Sequence, residues 1–226
     1  MNWKIESLKR LDGIFGRLAC FLSDTLVKPR HDYIRDNPKI LVIRPGGIGD
    51  AVLLFPALNA LREYYPASEI DVLAEKRNAG IFEICSSIDN LILYDAQPYN
   101  GLFKVINGEY DIVIDTEQWH RLTAAVAYST RAPVRAGFST NERARLYSNE
   151  VAYSHDDYEA VSFLNLASSV TGTSLDFNPD SPFISTGRTG VSDVIDDVRS
   201  YSNGKSALAG IFPGASVRER RWSSTN

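Results

Sequence analysis

The sequence predicts an α/β protein in which a parallel sheet carries helices on both faces. Three observations predict it. From Lys39 onward, short β-branched and aliphatic runs alternate with segments of helical period. The runs are apolar throughout, not apolar at every second residue, which is the pattern of strands covered on both sides. A Gly-rich turn joins the first run to the first of these helices, as a βαβ unit begins.

Residues 1–28 precede the sheet and read as an amphipathic helix. Trp3, Leu8, Leu11, Ile14, Phe15, Leu18, Phe21, Leu22 and Leu26 recur at spacings of three and four. Gly13 and Gly16 weaken it, and Pro29 ends it. Lys4, Lys9, Arg10, Arg17, Lys28 and Arg30 outnumber Glu6, Asp12 and Asp24, so this stretch is basic within an acidic chain. Two placements fit: peripheral contact with the anionic inner face of the cytoplasmic membrane, or packing of the apolar face on the next domain. A polar connector completes this first region, 1–37.

The main domain is expected over 38–170. Lys39–Arg44 is its first strand, Pro45-Gly46-Gly47-Ile48-Gly49 the turn, and Asp50–Tyr65 a helix stopped by Pro66. Strands follow at Glu69–Ala74, Asn90–Tyr94, Asp111–Asp115 and Val134–Phe138. Helices fall between them at Asn78–Cys85, Leu102–Asn107 and Arg121–Ser129. Residues 140–160 are polar, aromatic and irregular, and Glu159–Val170 is helical. This order implies a Rossmann-like, doubly wound sheet. Residues 171–190, rich in Gly, Ser, Thr, Asp and Pro, read as a linker. In 191–226 a helix (Val191–Tyr201), a strand (Ser206–Phe212) and the turn Pro213-Gly214-Ala215-Ser216 open a second α/β domain that is not completed before Asn226.

With 226 residues, the chain suits one full domain with material to spare. Apolar residues at 44% and charged residues at 23% allow a packed core and argue against wholesale disorder. A net charge of -4 and a pI near 5.4 supply no basic field for nucleic acid. Cys20 and Cys85 form no Cys-x-x-Cys pair, and with three His they offer no zinc set. They are expected to be reduced core thiols of a cytoplasmic protein. Neither a metal nor an organic cofactor is expected. No apolar run reaches the roughly 18 residues of a bilayer span. Charges scattered along the N-terminal segment deny it the apolar core of a signal peptide.

The chemistry concentrates at residues 40–58. Parallel sheets bind ligands outside the carboxyl ends of their strands. Gly46, Gly47 and Gly49 let the backbone bend sharply and approach a ligand. Asp50 follows at the head of a helix, where the dipole favours its charge. Three readings stand: a plain N-cap, a general base at the mouth of a cleft, or part of a dinucleotide site. The last wants G-x-G-x-x-G, and Val52 occupies its third glycine position. An acid here would also repel a pyrophosphate.

The run Ile40-Leu41-Val42-Ile43-Arg44-Pro45-Gly46-Gly47-Ile48-Gly49-Asp50-Ala51-Val52-Leu53-Leu54-Phe55-Pro56-Ala57-Leu58 resembles the opening motif of the lipopolysaccharide heptosyltransferases, glycosyltransferase family nine. That motif is an apolar strand, a small-residue turn, Gly-Asp, an apolar stretch and Pro-Ala-Leu. Further segments resemble the family in the same order: Tyr65-Pro66, Ile70–Leu73, Asp111–Asp115, the basic Arg121, Ala136-Gly137-Phe138, Phe212–Ser216 and Arg220-Arg221-Trp222. The resemblance covers residues 39–222.

The resemblance implies a two-domain GT-B fold, with the acceptor held by the first domain and a nucleotide-sugar donor such as ADP-heptose by the second. It makes Asp50 the general base of an inverting transfer, with Gly46, Gly47, Gly49 and Arg121 toward a glycan acceptor. Ser216, Arg220 and Arg221 fall toward the donor diphosphate. Arg121 fits a surface salt bridge equally well, and Arg218, Arg220 and Arg221 also fit a solvated basic loop. The chain departs from the family in three places. Pro45-Gly46-Gly47 replaces a hydroxyl-rich turn. Glu117-Gln118 stands where Gln/His-Gly is common, and Arg220 where Lys is usual. The Asp-rich donor segments of the second domain are absent, so residues 1–226 alone are expected to lack transferase activity. A non-catalytic glycan- or membrane-binding module of the same ancestry, and more remotely an NAD-binding protein, are the alternatives.

Overall fold

The computed structural model describes residues 33–96 and 98–184, together with Asp12 and Gly16. The chain divides into two compact units, Met1–Ser185 and Thr186–Asn226. The expected helix over 1–28, Cys20, the second-domain elements and Ser216, Arg220 and Arg221 lie outside the described residues.

Strand β1 (Ile40–Arg44) leads into two short helices, α1 (Ile48–Leu53) and α2 (Phe55–Tyr64). Then come β2 (Ile70–Ala74), α3 (Lys76–Glu83), β3 (Asn90–Leu93), α4 (Pro98–Ile106), β4 (Ile112–Asp115), α5 (Arg121–Ser129) and β5 (Val134–Phe138). A 3-10 helix (Glu142–Leu146), β6 (Asn149–Val151) and α6 (Glu159–Thr171) follow. The six strands form one parallel sheet in the order β3-β2-β1-β4-β5-β6. The chain therefore works outward from β1 to one edge, then returns beside β1 and builds to the other. This is the Rossmann-like doubly wound sheet expected from the sequence, and its crevice opens where the direction reverses, between β1 and β4.

Alternation along β1 divides the core. Ile40 and Val42 join one apolar layer with Phe55, Leu58 and Leu61 of α2, Phe82 of α3 and Phe163, Leu164 and Leu166 of α6. Leu41 and Ile43 face the other layer, with Val105 of α4, Tyr110, and Ala124, Ala127 and Tyr128 of α5. All five β1 residues are buried, which explains the continuous apolar run.

Three differences from the sequence reading have local causes. The helix expected over Asp50–Tyr65 breaks at Leu54. Pro56 at the start of α2 has no N–H for the carbonyl four residues back, so the ladder is interrupted there. The region 140–160 contains a sixth strand, whose partner is β5 through Ala136↔Asn149 and Phe138↔Val151. In the segment after α6, Gly172 ends the helix in the left-handed conformation (φ 70°). Leu175, Phe177, Phe183 and Ile184 then pack back on the first core layer, so this part of the expected linker is a strap laid on the domain.

Asp12 accepts hydrogen bonds from the backbone N–H groups of Arg121 (2.8 Å) and Leu122 (2.9 Å), the open first turn of α5. Gly16 lies against the Arg121 stem, where a Cβ would meet that side chain at 2.8 Å. At these two residues the segment touches the domain. Cys85 is a free, buried thiol whose pKa is pushed up, chiefly by burial.

Candidate functional site

The carboxyl end of β1 is closed by a buried cation. Arg44 is the last residue of the strand and its side chain is 3% exposed. Its Nη1 donates to the Thr116 carbonyl just past β4 (2.9 Å), and its Nη2 to Asp50 Oδ2 (3.0 Å). The guanidinium also lies over the Phe163 ring, 5.4 Å from its centroid. One side chain thus ties the two strands flanking the crevice to the carboxylate at its mouth. The β1–β4 register, Ile43↔Asp115, makes the span possible, and Thr116 is itself fixed through its N–H and hydroxyl to the Ile43 carbonyl.

Asp50 sits in the first turn of α1, with a side chain 46% exposed. It does not act as the cap: the N-cap position is Gly47, and no side chain bonds the helix's free N–H groups. The plain N-cap reading of Asp50 is therefore corrected. Among the described residues no hydrogen bond reaches Oδ1, so one oxygen is held and the other is open.

The three glycines of the turn differ. Gly46 has φ 95°, a conformation that L side chains rarely adopt. A Cβ on Gly47 would stand 3.0 Å from Asp50 Oδ2 and press on the carboxylate. At Gly49 a side chain would meet nothing within 4 Å, so no close approach explains that glycine.

The opposite lip follows β4. The Glu117 carboxylate accepts from the N–H groups of Gln118 (3.1 Å), Trp119 (3.1 Å) and His120 (3.4 Å). Behind it Asp115, Arg143 and Tyr147 form a buried cluster. Arg143 Nη2 donates to Asp115 Oδ2 (2.6 Å), Arg143 Nη1 donates to the Glu117 carbonyl, and the Tyr147 hydroxyl donates to Asp115 Oδ2 (2.7 Å). Burial alone would lower the Arg143 pKa, but the Asp115 charge and Tyr147 hold it above its ordinary value. Gly137, within the Ala-Gly-Phe element, leaves room for this cluster: a Cβ there would run into the Tyr147 ring.

Tyr153 connects this lip to α6. Its hydroxyl donates to Glu159 (3.0 Å), which also accepts from the Gln118 amide. The phenol's pKa is pushed up to about 12 by burial first, then by Glu159 and the charge of Asp50, with Arg44 opposing.

Of the residues read from sequence, Gly46, Gly47, Gly49 and Asp50 come together at one turn. Arg121 is placed otherwise. Its guanidinium is 15% exposed and pairs with Glu142 (2.6 Å) and Asp12 (3.7 Å), so the salt bridge is the alternative found, not an open acceptor ligand. The sequence reading missed Arg44, Glu117, Trp119, Tyr153 and Glu159. A charged residue ending an apolar strand was the one visible signal, at Arg44. Two cavities, of about 320 and 130 Å³, lie between α2 and the strap, and neither is lined by Arg44, Asp50 or Trp119. Among the described residues no group of three or more His, Cys, Asp or Glu could hold a metal, and no helix is long and apolar enough to cross a membrane.

No family model and no curated protein matches this sequence. Solved structures do. A family nine glycosyltransferase from Veillonella parvula superposes with a TM-score of 0.60 at 22% identity, over 82% of this chain and 56% of that one. The E. coli ADP-heptose lipopolysaccharide heptosyltransferase II gives 0.56 at 18%, over 79% and 55%. The E. coli heptosyltransferase WaaC with ADP gives 0.53 at 17%, over 62% and 49%. The chain spans about half the length of these structures, and at such identities the likeness is one of fold: the α/β fold of the heptosyltransferases, as the motif at residues 40–58 implied.

Proposed function

We propose that this chain is the acceptor-binding half of an inverting glycosyltransferase that moves a sugar from a nucleotide-sugar donor, of the ADP-heptose type, to a lipopolysaccharide-core or similar glycan. The observation that carries the reading is Asp50. Its carboxylate is half exposed at the switch point of the sheet, has one oxygen anchored by a buried guanidinium, and does no capping work.

In this reading Asp50 takes the proton of an acceptor hydroxyl while that oxygen bonds to the donor's anomeric carbon. The bond from that carbon to the diphosphate breaks, and the electron pair leaves with the phosphate. Attack opposite the leaving group inverts the configuration. Arg44 fixes Oδ2, which leaves Oδ1 to receive the proton. The Gly46–Gly49 backbone borders the acceptor. Ser216, Arg220 and Arg221 neutralise the departing charge, a role suited to the guanidinium fork. A glycolipid acceptor would bring the reaction to the inner membrane surface, with the basic N-terminal segment beside it.

The test is Asp50→Asn in a polypeptide carrying both halves. Turnover should fall roughly 10²–10⁴-fold, the scale of a lost acid/base group, while donor affinity stays near wild type. Wild-type turnover by the variant would refute Asp50 as the base.

A further inference from the structure

We propose that Trp119, backed by His155 and Tyr153, is a stacking platform for a sugar ring of the glycan acceptor. This rests on the glycosyltransferase reading above and adds the residue that grips the acceptor.

Trp119 lies on the loop after β4, the second lip of the crevice, and its large apolar side chain is 46% exposed. The loop is built to hold it there. Glu117 grips the N–H groups of Trp119 and both its neighbours. Asn141 donates its side-chain amide to the Trp119 carbonyl (2.9 Å), and the Thr140 hydroxyl donates to the Gln118 carbonyl. The indole is fixed as well as the backbone. The His155 ring stacks on it at 5.3 Å between centroids and 16° between planes, and Tyr153 meets it edge-on at 6.0 Å. Phe138 buttresses Tyr153 from the core at 5.0 Å. A ring braced this thoroughly yet left half in solvent is preorganised to meet something.

The chemistry around it selects the partner. A pyranose offers a face of C–H groups, which packs on an indole, and a rim of hydroxyls, which needs donors and acceptors. The residues bonded to the Trp119 loop or stacked on the indole, Thr140, Asn141 and His155, are polar. One aromatic face within a polar rim suits a sugar better than an apolar peptide or an acyl chain. The loop carrying Trp119 leaves the end of β4, which pairs with β1 through Ile43↔Asp115, and Arg44 bonds the Thr116 carbonyl at the start of that loop, so platform and Asp50 stand at the same end of the sheet.

The experiment uses the full chain carrying Trp3→Phe and Trp222→Phe, which leaves Trp119 as its one tryptophan. Lipid-free lipopolysaccharide-core oligosaccharide is titrated in, with tryptophan emission and calorimetry as readouts. Saturable binding with a shift in Trp119 emission is expected. Trp119→Ala should weaken calorimetric binding by about tenfold or more, and Trp119→Phe by less than about threefold, the behaviour of a central aromatic anchor. The urea midpoint should stay unchanged. Should the Ala variant fail to fold, Trp119→Leu makes the same distinction, because it keeps apolar bulk and loses the ring. Absence of saturable binding, or equal affinity for the variant lacking the ring, overturns the platform. A platform failure with Asp50-dependent turnover intact removes this inference alone; Trp119-dependent binding with Asp50-independent turnover removes the base and leaves the platform.

Discussion

Replacing Arg143 with Met tests whether the ion pair behind β4 holds up one wall of the crevice. The guanidinium is completely buried and bonds Asp115, Tyr147 and the Glu117 carbonyl. Met retains an apolar stem and removes every donor. Asp115, also fully buried, would keep only the Glu117 N–H (3.1 Å) and the Tyr147 hydroxyl, with its charge uncompensated. Breaking a buried pair from one side costs about 3–5 kcal/mol, against the roughly 5–15 kcal/mol that holds a typical domain together. Urea unfolding followed by circular dichroism is the assay. At about 2 kcal/mol per molar of urea, the midpoint should fall by roughly 1.5–2.5 M. Removing the stranded charge as well, in Arg143→Met/Asp115→Asn, should restore at least half of that loss, since Asn keeps an acceptor for the tyrosine without needing a cation. A single variant that loses less than about 1 kcal/mol, or a double variant no better than the single, would refute the argument.

Two further predictions concern stability. Alkaline pH should weaken the fold: the phenols of Tyr94, Tyr110, Tyr147 and Tyr153 are all raised, each chiefly by burial, and Tyr153 to about 12. Their stabilisation is full below pH 10, the ordinary value. It is lost as pH rises toward the folded values, because the unfolded chain releases these protons first. The urea midpoint should therefore drop from pH 9 to pH 11, and Tyr110→Phe should shrink the drop; an unchanged midpoint would contradict this. Asp12→Ala should cost about 1 kcal/mol by opening the first turn of α5, and amide exchange at Arg121 and Leu122 should accelerate while β1 stays protected. Unaltered exchange there would contradict Asp12 as the cap of α5.

Where one residue type dictates one backbone state, the fold was legible from sequence. The Arg121–Ser129 helix and the Val134–Phe138 strand lie where period and flanking residues put them. Strand β6 was not legible: Asn-Glu-Val holds one apolar residue, and its pairing is set by the free edge of β5, not by its own pattern. The start of α4 was missed because Pro98 marks a first helical turn, not a boundary. Pro56 is visible in the sequence, but the apolar spacing on either side of it is that of one continuous helix. The strap at 175–184 looked like a linker because its apolar residues are spaced irregularly, and only the groove on the domain gives them a common side.

The candidate site divides in the same way. Gly46, Gly47 and Asp50 are neighbours in sequence, so their motif announced itself. Arg44, the group bonded to Asp50, stands only six residues before it, but the Thr116 carbonyl that fixes its guanidinium comes from far along the chain, and the β1–β4 register brings it in. Arg44 argues most strongly that this end of the sheet is a site. A buried guanidinium is costly to desolvate, and here its Nε finds no partner among the described residues although the side chain is almost fully enclosed. The preceding residues, Ile40–Ile43, show what a strand that serves the core alone is made of. Ending that strand with a cation ties β1 to the chain past β4, sets a guanidinium over Phe163, and holds a half-exposed carboxylate at the crevice mouth with one oxygen free. The open oxygen is the feature that the proposed base role uses.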